Sequence, residues 1–465
     1  MCDGYSGSSA RKLFSACSSG SGKTLITCGF LQALKNRGIE PASFKCGPDY
    51  IDPMFHERVI GTRASNLDTF FAPPQFVRYL LEENAKGCEI AVIEGVMGYY
   101  DGVGGVTHKA SAYDVACVTD TPVLLLVNSA GMSGSLAACI KGFVEYEKDS
   151  RIRGVIFNQM SPMLYPRMKT LVEERTGIQV FGYVPKLKDC VLESRHLGLI
   201  MPQEIPALLE KLNELAYILE DTLDIDGILS LAGKASELAE EEDPVKIKDT
   251  VKEKTVRIGV AYDAAFCFFY KDNFRLLQRM GAEFITFSPL EDERLPEGLD
   301  GLLLYGGYPE LHAKRLEENT SMRENVRKAI ADGMPCMAEC GGFMYLHEEM
   351  EDMEGKPHAM AGVIEGRAFK TDRLSRFGYI TLKKNQDDRF GEIPAHEFHY
   401  FDSTSNGAAY HAQKPGSTRG WDCIHEEKRL FAGFPHLYYY GNSAVPEEFL
   451  HQCVCYKKER SGKNV

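Results

Sequence analysis

No part of this 465-residue chain is apolar for long. The longest purely aliphatic run, Val123 to Val127, falls far short of the roughly 20 residues a membrane helix needs. Basic charge is not in excess either: 53 Lys and Arg stand against 66 Asp and Glu, a formal charge of −13. Nucleic acids and anionic membranes are held through clustered Lys and Arg, so neither is expected as the main partner. Met1 to Ala10 is polar and rich in Gly and Ser, without the apolar centre of a secretory signal. The fourteen Cys lack the paired spacing of zinc ligands, and Cys453-Val-Cys455 has no second pair nearby. Most, such as Cys28, Cys139 and Cys336, sit inside apolar runs. Free thiols in a reducing cytoplasm are the expectation.

With 44% hydrophobic and 26% charged residues the composition is that of an ordinary globular protein. At about 150 residues per domain, the length suggests three domains or two large ones. Two α/β halves are visible. In the first, short apolar runs at Leu13–Ala16, Ala42–Phe44, Ile90–Ile93, Val123–Val127 and Val155–Phe157 alternate with helical patterns, as buried parallel strands do. Residues 204–219 read as an amphipathic helix. The charged stretch Ala239-Glu-Glu-Glu-Asp-Pro-Val-Lys-Ile-Lys248 marks a linker, set at 221–254 after a first domain of 1–220. A second strand–helix series, 255–456, runs through Val256–Val260, Phe284–Phe287, Leu302–Tyr305 and Cys336–Ala338, with Phe377–Leu382 more irregular. The basic tail, 457–465, is expected to fray.

Cys17-Ser-Ser-Gly-Ser-Gly-Lys-Thr24 follows the first strand and opens a helical run from Leu25 to Leu34. That is the context of a phosphate-binding loop, although Cys17 stands at the first glycine of the pattern. Ser19, Gly20, Ser21 and Gly22 would turn backbone N–H groups onto phosphates. Lys23 would reach the β/γ-phosphates of ATP, and the Thr24 hydroxyl a Mg²⁺ ion. Glu94 ends a strand. Asp49 and Asp52 lie in Lys45-Cys-Gly-Pro-Asp-Tyr-Ile-Asp-Pro53, and Asp101 in Met97-Gly-Tyr-Tyr-Asp-Gly102. As a set beside a phosphate loop these carboxylates suit a divalent ion and its substrate; singly they are turn residues. Asn158, at a strand end, either reads an adenine edge or caps the next turn.

In the second half, Pro335-Cys-Met-Ala-Glu-Cys-Gly-Gly342 runs from an apolar strand into a helical pattern. A Cys at such a turn is exposed at the sheet edge, and a helix dipole behind it is expected to favour its thiolate. Cys340 is therefore the candidate nucleophile. Gly306 and Gly307, ending an earlier strand, supply candidate oxyanion donors. The base is placed at His436, with His396 and His399 of His396-Glu-Phe-His-Tyr400 as rivals. An ATP site joined to a Cys/His acyl-transfer site is economically explained by glutamine hydrolysis in one half and ATP-driven amide formation in the other.

The sequence resembles the cobyrinate a,c-diamide synthases, amidotransferases that act on corrinoid side chains. The resemblance rests on Ser18-Ser-Gly-Ser-Gly-Lys-Thr24, Phe44-Lys-Cys-Gly-Pro-Asp-Tyr-Ile-Asp-Pro53, Asn66-Leu-Asp68 and Glu94-Gly-Val-Met-Gly-Tyr-Tyr-Asp-Gly102. It continues through Ser194-Arg-His-Leu-Gly-Leu199, Tyr305-Gly-Gly-Tyr-Pro-Glu-Leu311, Ala338-Glu-Cys-Gly-Gly342 and His396-Glu-Phe-His-Tyr400. These segments span nearly the whole chain in order. The resemblance implies a dethiobiotin-synthetase-like P-loop domain on a parallel sheet, followed by a class I glutamine amidotransferase-like α/β domain. It implies ATP as co-substrate with Mg²⁺, and two amidations of a corrin-ring acid within cobalamin synthesis. Small molecules are the implied partners, and a homodimer is left open. Cys340 becomes the glutaminase nucleophile and His436 its base. Thr24, Asp49 and Glu94 fall in the metal loops; Lys45, Asp52, Asp101, Arg195 and His196 fall in substrate loops. Lys45, Arg63, Arg195 and His196 either meet substrate carboxylates or pair with nearby acids.

Three departures from the family pattern stand out. Gly-Phe-Pro precedes His436, Ala395 replaces a usual glycine, and Tyr438 occupies the place where related glutaminases carry an acid that orients the base. The acid is either replaced or dispensable. The ring metal is open too: hydrogenobyrinate and a nickel sirohydrochlorin are alternative substrates, and a glutaminase-inactive P-loop ATPase is an alternative reading.

Overall fold

The computed structural model describes residues 10–187, 205–239, 241–247 and 255–462. The chain divides into two compact units, Met1–Pro244 and Val245–Val465.

The first unit is built on seven parallel strands: β1 (Ala10–Ala16), β2 (Pro41–Cys46), β3 (Arg63–Leu67), β4 (Ile90–Glu94), β5 (Val123–Asn128), β6 (Ile152–Asn158) and β7 (Gln179–Val184). Their order is β3-β2-β4-β1-β5-β6-β7. The chain leaves β1 toward one edge, returns to β4, then crosses to β5 and the other edge. Ligands of open α/β sheets bind beyond the strand C-termini at such a reversal. All five strands read from apolar runs are present. β3 and β7 were not read, because Arg63-Ala-Ser-Asn-Leu67 and Gln179-Val-Phe-Gly-Tyr-Val184 carry polar residues or Gly among few aliphatics.

The helix α1 (Lys23–Asn36) opens directly after the phosphate loop. Helix Ile205–Thr222 packs on it, close enough that a Cβ on Gly29 would lie 2.7 Å from Leu215 and Leu219 side-chain atoms. The expected linker begins too early. Residues 225–232 form a helix whose Ile225, Ile228 and Ala232 are buried in the same core as Leu212 and Leu219. Their apolar i, i+3 spacing outweighs the acidic stretch beyond them.

The second unit has a six-stranded sheet. β8 (Val256–Ala261), β10 (Ala282–Phe287), β11 (Gly301–Leu304), β13 (Cys336–Glu339) and strand Leu430–Gly433 are parallel, in the order β10-β8-β11-β13 and then 430–433. An antiparallel edge strand, His425–Glu427, completes it. Beside β11, β12 (Gly306–Gly307) pairs with β9 (Phe266–Phe268). A separate five-stranded antiparallel sheet contains Arg376–Lys384, Ile393–His399 and His436–Leu437. The expected frayed tail is instead the end of helix Ala444–Gly462. Lys457 and Arg460 anchor it, donating to the Thr255 and Leu299 carbonyls at 2.6 and 2.8 Å. Among the described residues no helix is long and apolar enough to cross a membrane, and every described Cys is free.

Candidate active sites

In the first unit, Gly20 and Gly22 have φ of 73° and 91°, a backbone region open to glycine at little cost. Ser19 and Gly20 form the exposed tip of the loop, and Ser21 is buried. Lys23 Nζ folds over the loop, donating to the Ser18 carbonyl at 3.2 Å and to the Met97 carbonyl. Asn158 braces the loop from the end of β6. Its Nδ2 donates to the Ser21 carbonyl at 2.9 Å, and its Oδ1 accepts from the Gln159 N–H. Both polar atoms thus bond backbone groups, and Asn158 supports the loop.

Thr24 and Glu94 meet as register predicts, since Glu94, at the end of β4, pairs with Phe14 of β1. The Thr24 hydroxyl donates to Glu94 Oε1 at 2.6 Å. The buried Lys45 ammonium donates to the same oxygen at 2.7 Å and also pairs with Asp52. Burial and the neighbouring Asp52 push the Glu94 carboxyl up to about 7, against the pull of Lys45. Burial works against the Lys45 charge, but Glu94, Asp52 and Asp49 outweigh it and hold the ammonium well above its usual range. His56, 3.5 Å from Glu94 Oε2, is lowered to about 4 by burial and stays neutral.

The loop carboxylates divide. Asp49 Oδ1 accepts from the Ile51 N–H at 2.7 Å, so it shapes its own turn. Asp101 Oδ2 accepts from the Gly98 N–H at 2.8 Å. Asp52 is paired with Lys45, which accounts for the charge of both without a substrate. Among the described residues no three His, Cys, Asp or Glu stand together as a metal cage. The oxygens that fit a divalent ion are the Thr24 hydroxyl and Glu94, whose buried Oε2 has no hydrogen-bond partner among the described residues. Arg63 opens β3, at the far end from these loops, and donates to the Lys86 carbonyl, so it is not brought to the site. Arg195 and His196 lie outside the described residues.

In the second unit, Cys340 sits between β13 and the helical turn Gly341–Tyr345 with φ 48° and ψ −104°. That is a strained conformation for a residue bearing a Cβ, and strain of this kind is used to present a nucleophile. Its N–H donates to the Gly433 carbonyl at 2.8 Å, and its carbonyl accepts from Met344. Gly306 is where the site converges. A Cβ placed there would lie 3.5 Å from Cys340 Cβ, 3.5 Å from His436 Nε2 and 2.7 Å from His436 Cε1. Only glycine leaves that space open. The Gly307 nitrogen lies 3.2 Å from where a Cβ of Gly341 would be, so it borders the start of the helical turn. Sequence reasoning omitted Gly341; its N–H hydrogen-bonds Cys340, and the rule that the residue after a nucleophile lends its N–H could have found it.

The expected thiolate is not favoured in the resting site. Burial raises the Cys340 thiol, Glu310 and Glu397 raise it further, and the Gly341 N–H only partly offsets them. A five-residue helical turn is too short to overcome that desolvation.

The altered segment before His436 has a simple structural reason. Gly433 ends a strand of the parallel sheet and His436 begins a strand of the antiparallel one, so Phe434 and Pro435 carry the chain between sheets. Phe434 is buried and stacks on His399 at 3.9 Å. His399 is held at both nitrogens, by the Phe401 carbonyl and by Glu397 at 2.8 Å. His396 lies beside His436, ring centroids 6.4 Å apart, with burial keeping it neutral. Tyr438 donates to Asp272 at 2.9 Å. Sequence reasoning also passed over Glu339, whose Oε2 is 3.5 Å from His436 Nδ1.

Residues 13–199 match the family of CobQ/CobB/MinD/ParA nucleotide binding domains, and residues 257–444 match CobB/CobQ-like glutamine amidotransferase domains. The cobyrinate a,c-diamide synthase of Caldanaerobacter subterraneus subsp. tengcongensis is 39% identical over 95% of this chain and 98% of its own. That of Thermoplasma volcanium is 36% identical over 97% and 98%, and that of Listeria innocua 37% over 93% and 97%. The chain belongs to the cobyrinate a,c-diamide synthase family. Within that family frame, the two folds are the nucleotide-binding and glutamine amidotransferase domains, each with its own site.

Proposed function

We propose that this protein amidates the a and c carboxylates of cobyrinate, using ATP and glutamine-derived ammonia, in cobalamin synthesis. The observation that carries this reading is the near full-length kinship to cobyrinate a,c-diamide synthases across both units. The geometry supports it. Lys23 and the loop N–H groups bind and orient the triphosphate, so that its γ-phosphoryl is transferred to a substrate carboxylate oxygen with ADP leaving. Mg²⁺ travelling with ATP supplies charge neutralisation on the phosphates, and Thr24 and Glu94 would hold it. Ammonia then attacks the acyl phosphate carbon, an amide C–N bond forms and phosphate departs. Arg195 and His196 are the proposed cations for substrate carboxylates.

At the second site, the Cys340 sulfur attacks the glutamine side-chain carbonyl while His436 Nε2 accepts the thiol proton. Backbone N–H groups of Gly307 and Gly341 receive the oxyanion. His436 returns the proton to the departing ammonia, and water cleaves the thioester to glutamate. Burial and the nearby carboxylates disfavour a free thiolate, which suits proton transfer to His436 as the sulfur attacks.

The test is mass spectrometry of cobyrinic acid incubated with the protein, Mg²⁺-ATP and amide-¹⁵N glutamine. Two labelled amides, gained stepwise and no more, are expected. Amidation with ammonium but none with glutamine would remove the glutaminase half of the reading. No product with either would redirect the search to hydrogenobyrinate and nickel sirohydrochlorin.

A further inference from the structure

We propose that Glu339, the residue immediately before the nucleophile, is the positioning acid of the glutaminase site, holding His436 by its Nδ1 so that Nε2 faces Cys340. This rests on the glutaminase reading above. A base that takes a proton at Nε2 must carry its own proton on Nδ1, and a carboxylate at Nδ1 selects that tautomer and stabilises the imidazolium that forms.

The geometry supplies each part. Glu339 Oε2 lies 3.5 Å from His436 Nδ1, with both side chains 3% exposed. The ring's Cε1 and Nε2 face the space over Gly306 that Cys340 Cβ also borders. The imidazole is therefore set between carboxylate and thiol. Backbone fixes the acid as firmly as the base. Glu339 pairs with Gly433 across the parallel sheet, three residues before His436, and the Leu437 N–H hydrogen-bonds the carboxylate. Glu339 Oε1 is buried with no hydrogen-bond partner among the described residues.

Two rival acids are occupied. Glu397 accepts from His399 at 2.8 Å and from Trp421 at 3.2 Å. Asp272 accepts from Tyr438 at 2.9 Å, the residue at the position where an orienting acid was looked for. The function has moved from two residues after the histidine to one residue before the cysteine, and the adjacent strands β13 and 430–433 make the two positions neighbours.

The experiment measures glutamate release from glutamine and, separately, ammonium-driven amidation, for wild type, Glu339→Gln and Glu339→Asp. Glu339→Gln should lower glutaminase kcat by roughly 10²- to 10⁴-fold, by analogy with removing the acid of a Ser-His-Asp triad. Its KM for glutamine should stay within about threefold, since the acid touches His436 and not substrate. Ammonium-driven amidation should match wild type, which reports an intact fold. Glu339→Asp should recover part of kcat. A Glu339→Gln variant with kcat within twofold of wild type overturns the proposal, as does equal loss in both variants together with a large KM rise. Wild type that releases no glutamate overturns the glutaminase reading itself and this inference with it.

Discussion

Single residues in this protein are placed where chemistry, not packing, sets their cost. Cys340 is held at positive φ beside carboxylates that disfavour its thiolate, so reactivity there depends on His436 being aimed correctly. Lys12 poses the opposite case. It lies on the central strand β1, fully buried, and its Nζ has no hydrogen-bond partner among the described residues. Burial, assisted by Arg153, lowers its pKa well below the usual lysine range. The folded chain thus disfavours the protonated amine, which the unfolded chain carries up to about pH 10.4. Protons are released on folding, so stability rises with pH between the lowered pKa and the unfolded one. Lys12→Met keeps the length and removes the amine. It should stabilise the protein at pH 7 by about 1–4 kcal/mol, as replacing buried charge by apolar groups can. The gain should shrink as pH approaches 10. Chemical denaturation at pH 7 and pH 9.5 checks both statements; a gain independent of pH would contradict the assigned cause.

At the level of elements, the phosphate loop is a brace-and-strand assembly. Glu94 on β4 and Asn158 on β6 reach it from strand ends, Glu94 through Thr24 and Asn158 through the Ser21 carbonyl. Asn158 Nδ2 would lie 2.4 Å from a Cβ at Gly22, which shows how closely it fills the loop. Asn158→Ala should raise KM for ATP roughly tenfold, the worth of one hydrogen bond to a buried group. Glutaminase activity with glutamine alone should be unchanged, and parallel kinetics at the two sites would check it. Much of this assembly was legible in the sequence because strand, loop and helix signals coincide at Leu13–Leu34. The parts that were not legible share a cause. Lys45, Asp49, Asp52 and Asp101 lie at or just beyond strand ends rich in acids and N–H groups, and sequence order does not tell a substrate contact from an internal partner. Glu339 escaped for a related reason: the pairing of β13 with 430–433 joins residues almost a hundred positions apart.

For the molecule as a whole, the boundary between units is where sequence and structure differ most, and the difference has measurable consequences. Charge composition placed the end of the first domain at 220, yet the core continues beyond it. Leu223 bridges to Gly182 on β7, and the Asp224 N–H donates to the Phe181 carbonyl at 2.8 Å. Ile225, Ile228 and Ala232 then bury against the sheet, and Arg11 reaches the Ser236 carbonyl at 2.5 Å. Acidic residues mark the surface of a segment without saying whether its apolar residues are already buried. A fragment of residues 1–244 should therefore melt in one cooperative transition and bind an ATP analogue. A fragment ending at 220 loses at least two fully buried Ile side chains, each worth about 1.5–3 kcal/mol, and exposes the face they cover. Its midpoint should fall by about 10 °C or more. Circular dichroism melts of the two fragments decide the matter: equal midpoints would mean that helix 225–232 is peripheral, and the first domain would then end where its charge pattern suggests.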